Sequence, residues 1–136
     1  MRISEEDYLK TVFDLYERLE DESTGIKASD IAKELNVTKP SVSAMIRKLV
    51  KTEYIRAEPY SKIHLTKKGM EKARTLAHNH RVIEVFLTRV LGRDISEVHR
   101  EAHLLEHAFS DKSVKQLYKI LKSPSESPYG KRIPRE

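Results

Sequence analysis

Apolar residues near the start of the chain recur with a period of about 3.6, which is typical of an amphipathic helix. Polar and charged residues lie between them, and the apolar positions are Tyr8, Leu9, Val12, Phe13, Leu15, Tyr16 and Leu19. Ser4 precedes Glu5, Glu6 and Asp7, an N-cap residue followed by an acidic first turn. The pattern predicts a helix from this cap to about Glu20, followed by a polar break.

Two shorter helices are predicted next, separated by a tight turn. Ala28-Ser29-Asp30 is expected to cap a helix over Ile31–Leu35, and Asn36-Val37-Thr38 forms the turn. Thr38 is then the N-cap of a further helix with Pro40 in its first turn. The core positions of this helix have helical spacing: Val42, Met45, Ile46 and Leu49. Two short helices joined by three residues predict a helix-turn-helix.

The period then changes to two, which indicates β-strands. Tyr54–Glu58 and Lys62–Leu65 alternate between apolar and polar residues, and Pro59-Tyr60-Ser61 supplies a turn between them. A hairpin that directly follows a helix-turn-helix is a wing. We therefore predict that residues 1–70 form a winged helix-turn-helix domain of three helices plus a β-hairpin.

The rest of the chain is predicted to be helical. Thr66 caps a long helix that reaches about Val90, and Gly92-Arg93-Asp94 interrupts it. Ser96 is expected to cap the next helix, and Ser110-Asp111 the last one, over Lys112–Lys122. The segment from about residue 123 contains three of the five prolines and reads as irregular. The fold class is thus mainly α, with residues 71–136 forming an all-helical second domain.

Composition limits the function and the location of this chain. Only 38% of residues are hydrophobic and 35% are charged, so thin cores favour dimerisation as a source of buried area. Cysteine is absent, which excludes disulfides, zinc–thiolate sites and thiol catalysis. No stretch of 18 apolar residues occurs, so we expect neither a membrane helix nor a secretory signal, and a cytoplasmic location.

The positive charge is concentrated in the predicted helix-turn-helix and wing. Between Thr38 and Lys68 eight Lys or Arg residues face two Glu residues, a local excess of six positive charges. In a winged helix the second helix of the helix-turn-helix enters the major groove of DNA. We predict that the early positions of this helix contact base edges: Lys39, Ser41, Ser43 and Ala44. Its later positions are expected to contact phosphates: Arg47, Lys48 and Lys51. From the wing, Tyr60 and Lys62 are expected to contact the DNA backbone.

Histidines and glutamates in the second half have the spacing of metal ligands. His99, His103 and His107 are four residues apart on one helix, and Glu106 lies beside His103. His80 and Glu84 have the same four-residue spacing. Imidazole and carboxylate donors without sulfur suit Mn, Fe, Co, Ni or Zn. His103-Leu-Leu-Glu106-His107 also matches the inverted zincin motif, which leaves a small metallohydrolase as an alternative.

Several motifs together resemble the diphtheria-toxin-repressor/manganese-repressor family of metal-dependent transcriptional regulators. The resemblance extends over nearly the whole chain. It includes Glu6-Asp7-Tyr8-Leu9-Lys10, Ser41-Val42-Ser43, Leu65-Thr66-Lys67-Lys68-Gly69, His80-Arg81-Val82-Ile83-Glu84, Val98-His99-Arg100-Glu101-Ala102, Glu106-His107, and the tail Ser127-Pro128-Tyr129-Gly130 to Ile133-Pro134. It implies a homodimeric repressor that binds a pseudo-palindromic operator in double-stranded DNA, with Fe(II) or Mn(II) as co-repressor and Zn(II) as a third choice.

The resemblance also implies two metal sites. The primary site would consist of Asp7, His103, Glu106 and His107, and the ancillary site of His80, Glu84 and His99. A metal held by Asp7 and by residues of the second domain would fix the hinge between the two domains. Metal binding would thereby select the arrangement in which a dimer reads successive major grooves.

The chain departs from both branches of that family. The iron branch usually has sulfur ligands at the positions of Asp7 and His103, and the manganese branch carboxylates at both. Lys10 stands where the manganese branch has another carboxylate, which argues against a second ion close to the first. The iron branch has an SH3-like domain that supplies ancillary ligands; the chain stops at Glu136 without one, so water is expected to complete the ancillary site.

One further alternative remains from the residues alone. The chain can be a winged-helix DNA-binding protein whose histidines hold a structural metal permanently. Such a protein would bind DNA with the same affinity before and after chelation. This behaviour separates it from a metal-activated repressor.

Overall fold

A computed structural model describes residues 4–58 and 62–135. The chain divides into two compact units, the first ending at Arg74 and the second beginning at Thr75. Most of the described residues are helical, with one small antiparallel sheet in the first unit. No helix in this described part of the chain is both long and apolar enough to cross a membrane.

Helix α1 spans Glu5–Glu17 and begins at the predicted cap. The Ser4 side chain accepts a hydrogen bond from the Asp7 N–H, and the Asp7 carboxylate accepts one from the Ser4 N–H. This reciprocal capping satisfies two N–H groups that the helix itself leaves unpaired. The helix ends three residues before the predicted Glu20, because Asp21 caps a short 3-10 turn at Glu22–Thr24.

Helices α2, Ala28–Leu35, and α3, Lys39–Lys51, form the predicted helix-turn-helix. Helix α2 begins three residues earlier than expected, because the chain enters it directly from an extended Lys27 without a side-chain cap. Asn36 adopts a left-handed conformation with φ of 54° and ends the helix. The Thr38 side chain caps α3 as predicted, by accepting from the Ser41 N–H.

The sheet has three strands, one more than the hairpin that the sequence predicted. Strands β2, Ile55–Glu58, and β3, Lys62–Leu65, pair as the wing, while β1, Ile26–Lys27, pairs with the other edge of β3. All pairings are antiparallel and the order is β1-β3-β2. A two-residue strand is too short to show a period, so the sequence pattern missed β1. The predicted turn over residues 59–61, including Tyr60, lies outside the described residues.

The core of the first unit is formed by the apolar faces of its helices and strands. It joins α1 to the sheet, and the Tyr16 hydroxyl accepts a hydrogen bond from the Leu65 N–H at 3.1 Å. The buried apolar side chains are Tyr8, Leu9, Val12, Phe13, Tyr16, Ile26, Ile31, Ala32, Val42, Ile46, Leu49, Ile55, Ile63 and Ala73. The exposed face of α3 is therefore fixed by burial of its opposite face.

Three helices build the second unit. Helix α4 spans Lys67–Arg89 and continues from the first unit into the second; α5 spans Ile95–Glu106 and α6 spans Asp111–Ile120. The expected cap of α5 at Ser96 is wrong, because Asp94 occupies the N-cap and accepts from both the N–H and the hydroxyl of Ser96. Ser110 caps α6 as predicted.

The tail from residue 123 is irregular but packed. Ile133 is buried in the core of the second unit, and His78 hydrogen-bonds to the Pro134 carbonyl. The buried Arg81 donates to the Arg132 carbonyl at 2.6 Å. The tail therefore supplies acceptors to buried polar side chains of α4, and it is part of the folded unit.

Gly69 is expected to tolerate no side chain, because a Cβ there would lie 1.9 Å from the carbonyl oxygen of Tyr54. Relief of that clash requires the start of α4 to move away from the entry to β2. We predict that Gly69→Ala lowers the free energy of unfolding by about 1–3 kcal/mol. The measurement is urea denaturation followed by circular dichroism.

Gly92→Asn is the matched control for Gly69→Ala. Gly92 has φ of +65°, which Asn tolerates better than most residues, and a Cβ there meets no atom within 4 Å. An equal loss of stability in both variants would contradict the proposed contact at Gly69.

Candidate metal centre and nucleic-acid surface

Helices α4 and α5 bring His80, Glu84 and His99 together. The Nε2 atom of His80 lies 3.2 Å from Nδ1 of His99 and 3.3 Å from Oε2 of Glu84. His99 Nδ1 lies 3.4 Å from the same Glu84 oxygen. His80 and Glu84 are one turn apart on α4, which is why the spacing in the sequence pointed to them. We call these three residues the ancillary group.

Burial and charge distinguish the members of the ancillary group. His80 and Glu84 are buried, whereas the His99 side chain is 71% exposed and opens the group to solvent. Burial alone would raise the pKa of Glu84, but hydrogen bonds and favourable charges from His80 and His99 outweigh it and lower the pKa to about 2. The group therefore presents an ionised carboxylate beside two imidazoles.

The spacing of the ancillary group fits a single metal ion. Two donors that each lie ~2.1 Å from one ion, at octahedral or tetrahedral angles, are roughly 3.0–3.4 Å apart. The three observed separations of 3.2, 3.3 and 3.4 Å lie in that interval. Two nitrogens and one carboxylate oxygen suit a first-row divalent transition metal. Three protein ligands leave further positions for water on the exposed side of His99.

A second group forms at the C-terminal end of α5. His103, Glu106 and His107 offer ligand atoms that lie within 4.8 Å of one another. His103 Nε2 is 3.9 Å from Glu106 Oε1, and the two imidazole rings have centroids 5.3 Å apart. The His103 and Glu106 side chains are largely buried, whereas His107 is exposed. We call these three residues the primary group.

A contact between His80 and Glu106 joins the two groups. His80 Nδ1 lies 3.2 Å from Glu106 Oε2, so the same imidazole contacts the ancillary group through one ring nitrogen and the primary group through the other. Spacing along the chain does not predict this contact, because the two residues are 26 positions apart and lie on different helices. Only the packing of α4 against α5 creates it.

Asp7, the remaining predicted ligand, belongs to the first unit. It is buried near the start of α1, where its Oδ2 atom accepts hydrogen bonds from the Ser4 N–H at 2.8 Å and the Ser4 hydroxyl at 3.0 Å. Its carboxylate thus has a helix-capping role within its own unit.

The predicted DNA-contacting residues of α3 share one exposed face. Their side chains point away from the buried Val42, Ile46 and Leu49. The exposed set on α3 is Lys39, Ser41, Ser43, Ala44, Arg47, Lys48 and Lys51. Lys62 is exposed at the start of β3, and Tyr60 lies outside the described residues.

Two of these side chains have partners that the sequence analysis did not anticipate. Lys48 Nζ forms an ion pair with Glu5 Oε1 at 2.7 Å, so a contact with phosphate would compete with this carboxylate. The Ser41 hydroxyl is 2.9 Å from the Thr38 hydroxyl. Lys39, Arg47 and Lys51 are the other basic side chains on this exposed face of α3.

The chain matches two family models. Residues 3–63 match the iron-dependent repressor N-terminal DNA-binding domain, and residues 66–135 match the iron-dependent repressor metal-binding and dimerisation domain. It is 38% identical over 117 residues to an uncharacterised HTH-type transcriptional regulator of Methanocaldococcus jannaschii, with 86% of this chain and 91% of that protein covered.

Longer relatives are also similar. The diphtheria toxin repressor of Corynebacterium diphtheriae is 33% identical over 127 residues, with 93% of this chain and 54% of that protein covered. The structure of the manganese regulator SloR superposes with a TM-score of 0.85 at 38% identity, covering 99% of this chain and 61% of that one. The chain thus spans about half the length of the diphtheria toxin repressor.

The ancillary group is expected to bind a divalent transition metal through the Glu84 carboxylate. We predict that Glu84→Gln, which keeps the shape but removes the charge, lowers Zn(II) affinity at this group by at least tenfold. Isothermal titration calorimetry on metal-free protein measures the change.

Glu101→Gln is the matched control for Glu84→Gln. Glu101 lies on α5 and pairs with Arg93 rather than with the ancillary group. Equal Zn(II) affinities for wild type and Glu84→Gln would show that Glu84 is not a ligand.

Proposed function

The chain belongs to the iron-dependent repressor family of metal-dependent transcriptional regulators, and we propose that it represses transcription as a homodimer activated by Fe(II) or Mn(II). This family membership confirms the resemblance inferred from the motifs, and the family consists of DNA-binding regulators rather than enzymes. The observation that carries the proposal is the ancillary group, whose donor separations of 3.2–3.4 Å suit one ion, in a chain that also has a winged helix-turn-helix.

The proposed metal sites are those of the sequence analysis. The ancillary site uses His80, Glu84 and His99, supported by their mutual distances. The primary site uses His103, Glu106 and His107 together with Asp7. Clustering of the first three supports it, and Asp7 is assigned because it is a buried carboxylate at the position where the motif has a ligand. A divalent ion there would supply positive charge that holds these acidic and imidazole side chains in one arrangement.

The identity of the metal is proposed from the donors. Both groups offer imidazole nitrogen and carboxylate oxygen without sulfur, a set compatible with Fe(II) and with Mn(II). The matching family models are named for iron, whereas SloR is named a manganese regulator. We place Zn(II) third, because the matching family models are named for iron and SloR for manganese.

Metal binding is proposed to control DNA binding through Asp7. This residue lies on α1 of the DNA-binding unit, and the other proposed primary ligands lie on α5 and at its end. Ligation of both sets by one ion links the two units energetically. An ion that binds one arrangement of the units more tightly than the others shifts the population toward it, and DNA that prefers the same arrangement binds more tightly.

DNA contacts are proposed for the exposed face of α3 and for the wing. Lys39 and the serines lie near the N-terminus of α3, where a recognition helix contacts base edges. Arg47 and Lys51 lie further along and suit phosphate oxygens, as does Lys62 on the wing. A two-fold dimer presents two such faces, so we propose a pseudo-palindromic operator.

Dimerisation is proposed for the second unit, whose matching family model is described as a dimerisation domain. Val90 and Ile120 remain 56% and 74% exposed and suit a subunit contact. Val85 is buried in the core of its own unit, and Phe86 and Leu117 pack against that core. The dimer face therefore excludes Val85.

The co-repressor proposal is tested with duplexes selected from a random DNA library in the presence of Mn(II). We predict that chelation weakens binding to these duplexes by at least tenfold. Asp7→Asn and Glu106→Gln are expected to show the same loss at a metal concentration that saturates the wild-type protein. Fluorescence anisotropy measures the affinity, and circular dichroism checks the fold. Unchanged affinity after chelation would favour the alternative of a constitutive DNA-binding protein with a structural metal.

The DNA surface is tested separately from the metal sites. Lys39→Ala and Arg47→Ala are expected to weaken DNA binding without changing metal affinity, because both side chains are exposed on α3. If Arg47 of each protomer contacts one DNA phosphate, its loss should reduce the magnitude of the slope of log K against log salt concentration by about 2 for a dimer. Anisotropy titrations at several salt concentrations give the slope.

Lys119→Ala, an exposed lysine of α6, serves as the control that removes the same charge elsewhere. The assignment of α3 fails if Lys119→Ala weakens DNA binding as much as Arg47→Ala does.

A further inference from the structure

The imidazole of His99 lacks the burial that fixes the other two donors of the ancillary group. His80 and Glu84 are buried, whereas the His99 side chain is 71% exposed. An exposed side chain on a helix can occupy more than one rotamer, and ordering it costs conformational entropy when a ligand binds. His99 Nδ1 nevertheless lies 3.2 Å from His80 Nε2 and 3.4 Å from Glu84 Oε2. A contact with a residue outside the group would hold the ring in this arrangement before a metal binds.

The ring of Tyr129, in the tail, makes such a contact. The ring centroids of Tyr129 and His99 are 6.2 Å apart with an interplanar angle of 85°, an edge-to-face arrangement. The Tyr129 hydroxyl donates a hydrogen bond to the carbonyl of Ile95, the first residue of α5 and one helical turn before His99. His99 therefore has ring contacts both with His80, at 4.8 Å between centroids, and with Tyr129.

A hydrogen-bonded turn of the tail holds Tyr129 against α5. Ser127 is buried at the start of this turn, where its N–H donates to the Lys131 carbonyl at 2.8 Å and its carbonyl accepts from the Gly130 N–H at 2.9 Å. The Ser127 hydroxyl accepts from the N–H groups of Tyr129 and Lys131 at 3.3 and 3.2 Å. The turn thus fixes the backbone of Tyr129 independently of its ring contact with His99.

We propose that Tyr129 is a positioning residue of the ancillary group, because its ring restrains His99 in the rotamer that faces His80 and Glu84. The restraint is present before a metal binds, so less side-chain entropy is lost on ligation. Tyr129 acts through His99 and does not itself contact the metal. The tail thereby contributes to metal affinity as well as to the core of the second unit.

This role rests on the proposed function, since it assumes that His80, Glu84 and His99 bind a metal. An edge-to-face pair of aromatic rings is worth roughly a two- to tenfold change in an equilibrium constant. Loss of the Tyr129 ring should weaken metal binding at the ancillary group by a factor in this range.

The first test measures Zn(II) binding to metal-free protein by isothermal titration calorimetry. The background carries His103→Ala and His107→Ala, which remove both imidazoles of the primary group. In this background Tyr129→Ala is expected to weaken Zn(II) binding about three- to tenfold, whereas Tyr129→Phe, which keeps the ring, stays within about twofold. Lys131→Ala, an exposed side chain of the same turn, is the control and is expected to match the background.

The second test needs no metal and separates positioning of His99 from general support of the fold. Three-bond NMR couplings between the Hα and Hβ protons of His99 distinguish a fixed side chain from one that averages over rotamers. We expect the couplings of one rotamer in wild type and Tyr129→Phe, and averaged couplings in Tyr129→Ala. His107, an exposed histidine at the end of α5, is the internal control and is expected to give the same couplings in each protein.

Each outcome has a distinct meaning. Unchanged Zn(II) affinity in Tyr129→Ala, equal losses in Tyr129→Ala and Tyr129→Phe, or a single His99 rotamer in Tyr129→Ala would overturn the role of Tyr129 and leave the proposed function intact. Binding of no Zn(II) by the wild-type protein would overturn both. Circular dichroism verifies folding, and Tyr129→Leu, which is apolar but has no ring, replaces Tyr129→Ala if that variant does not fold.

Discussion

The burial of the Glu84 carboxylate is the constraint on which the second unit depends. An ionised carboxylate in an apolar core costs several kcal/mol unless charged or hydrogen-bonding partners surround it. Glu84 is 2% exposed and lies on α4 next to the core residues Val82, Ile83 and Val85, yet its pKa is lowered to about 2. The partners that offset the cost are two imidazoles, so α5 must present His99 to α4. The same requirement brings one atom of each of His80, Glu84 and His99 within 3.4 Å of the others.

Helix α4 extends this constraint to the tail of the chain. Residues 77–85 are buried without interruption, although the segment includes several polar side chains. His78 uses the Pro134 carbonyl, Asn79 donates to Asp111 at 2.9 Å and Arg81 donates to the Arg132 carbonyl. Buried polar groups are stable when such partners exist. The tail has the composition of an irregular segment, but its backbone carbonyls accept hydrogen bonds from buried polar side chains of α4, about 50 residues earlier in the chain. These hydrogen bonds hold the tail against α4.

The sequence predicted what depends on local pattern. The caps at Ser4, Thr38 and Ser110 and the buried face of α3 follow from side-chain chemistry within a few residues, and they agree with the structure. It missed β1, which exists only because Ile26 pairs with Ile63 across the sheet. The two donor groups were assembled from helical spacing together with the family resemblance. The His80–Glu106 contact depends on the packing of α4 against α5, which no spacing encodes.

The same packing limits how this chain can select its metal. Neither donor group contains sulfur, so ligand softness does not discriminate between Fe(II) and Mn(II). Selection must then come from coordination number and from the rigidity of the donors. His80 and Glu84 are fixed by burial, whereas His99 is exposed and leaves space for water ligands. A rigid pair with an open side leaves coordination positions for water, which six-coordinate ions can fill and which an open Zn(II) site also uses. Under the proposed assignment of ligands, metal preference depends on the packing that buries His80 as well as on the identity of His103.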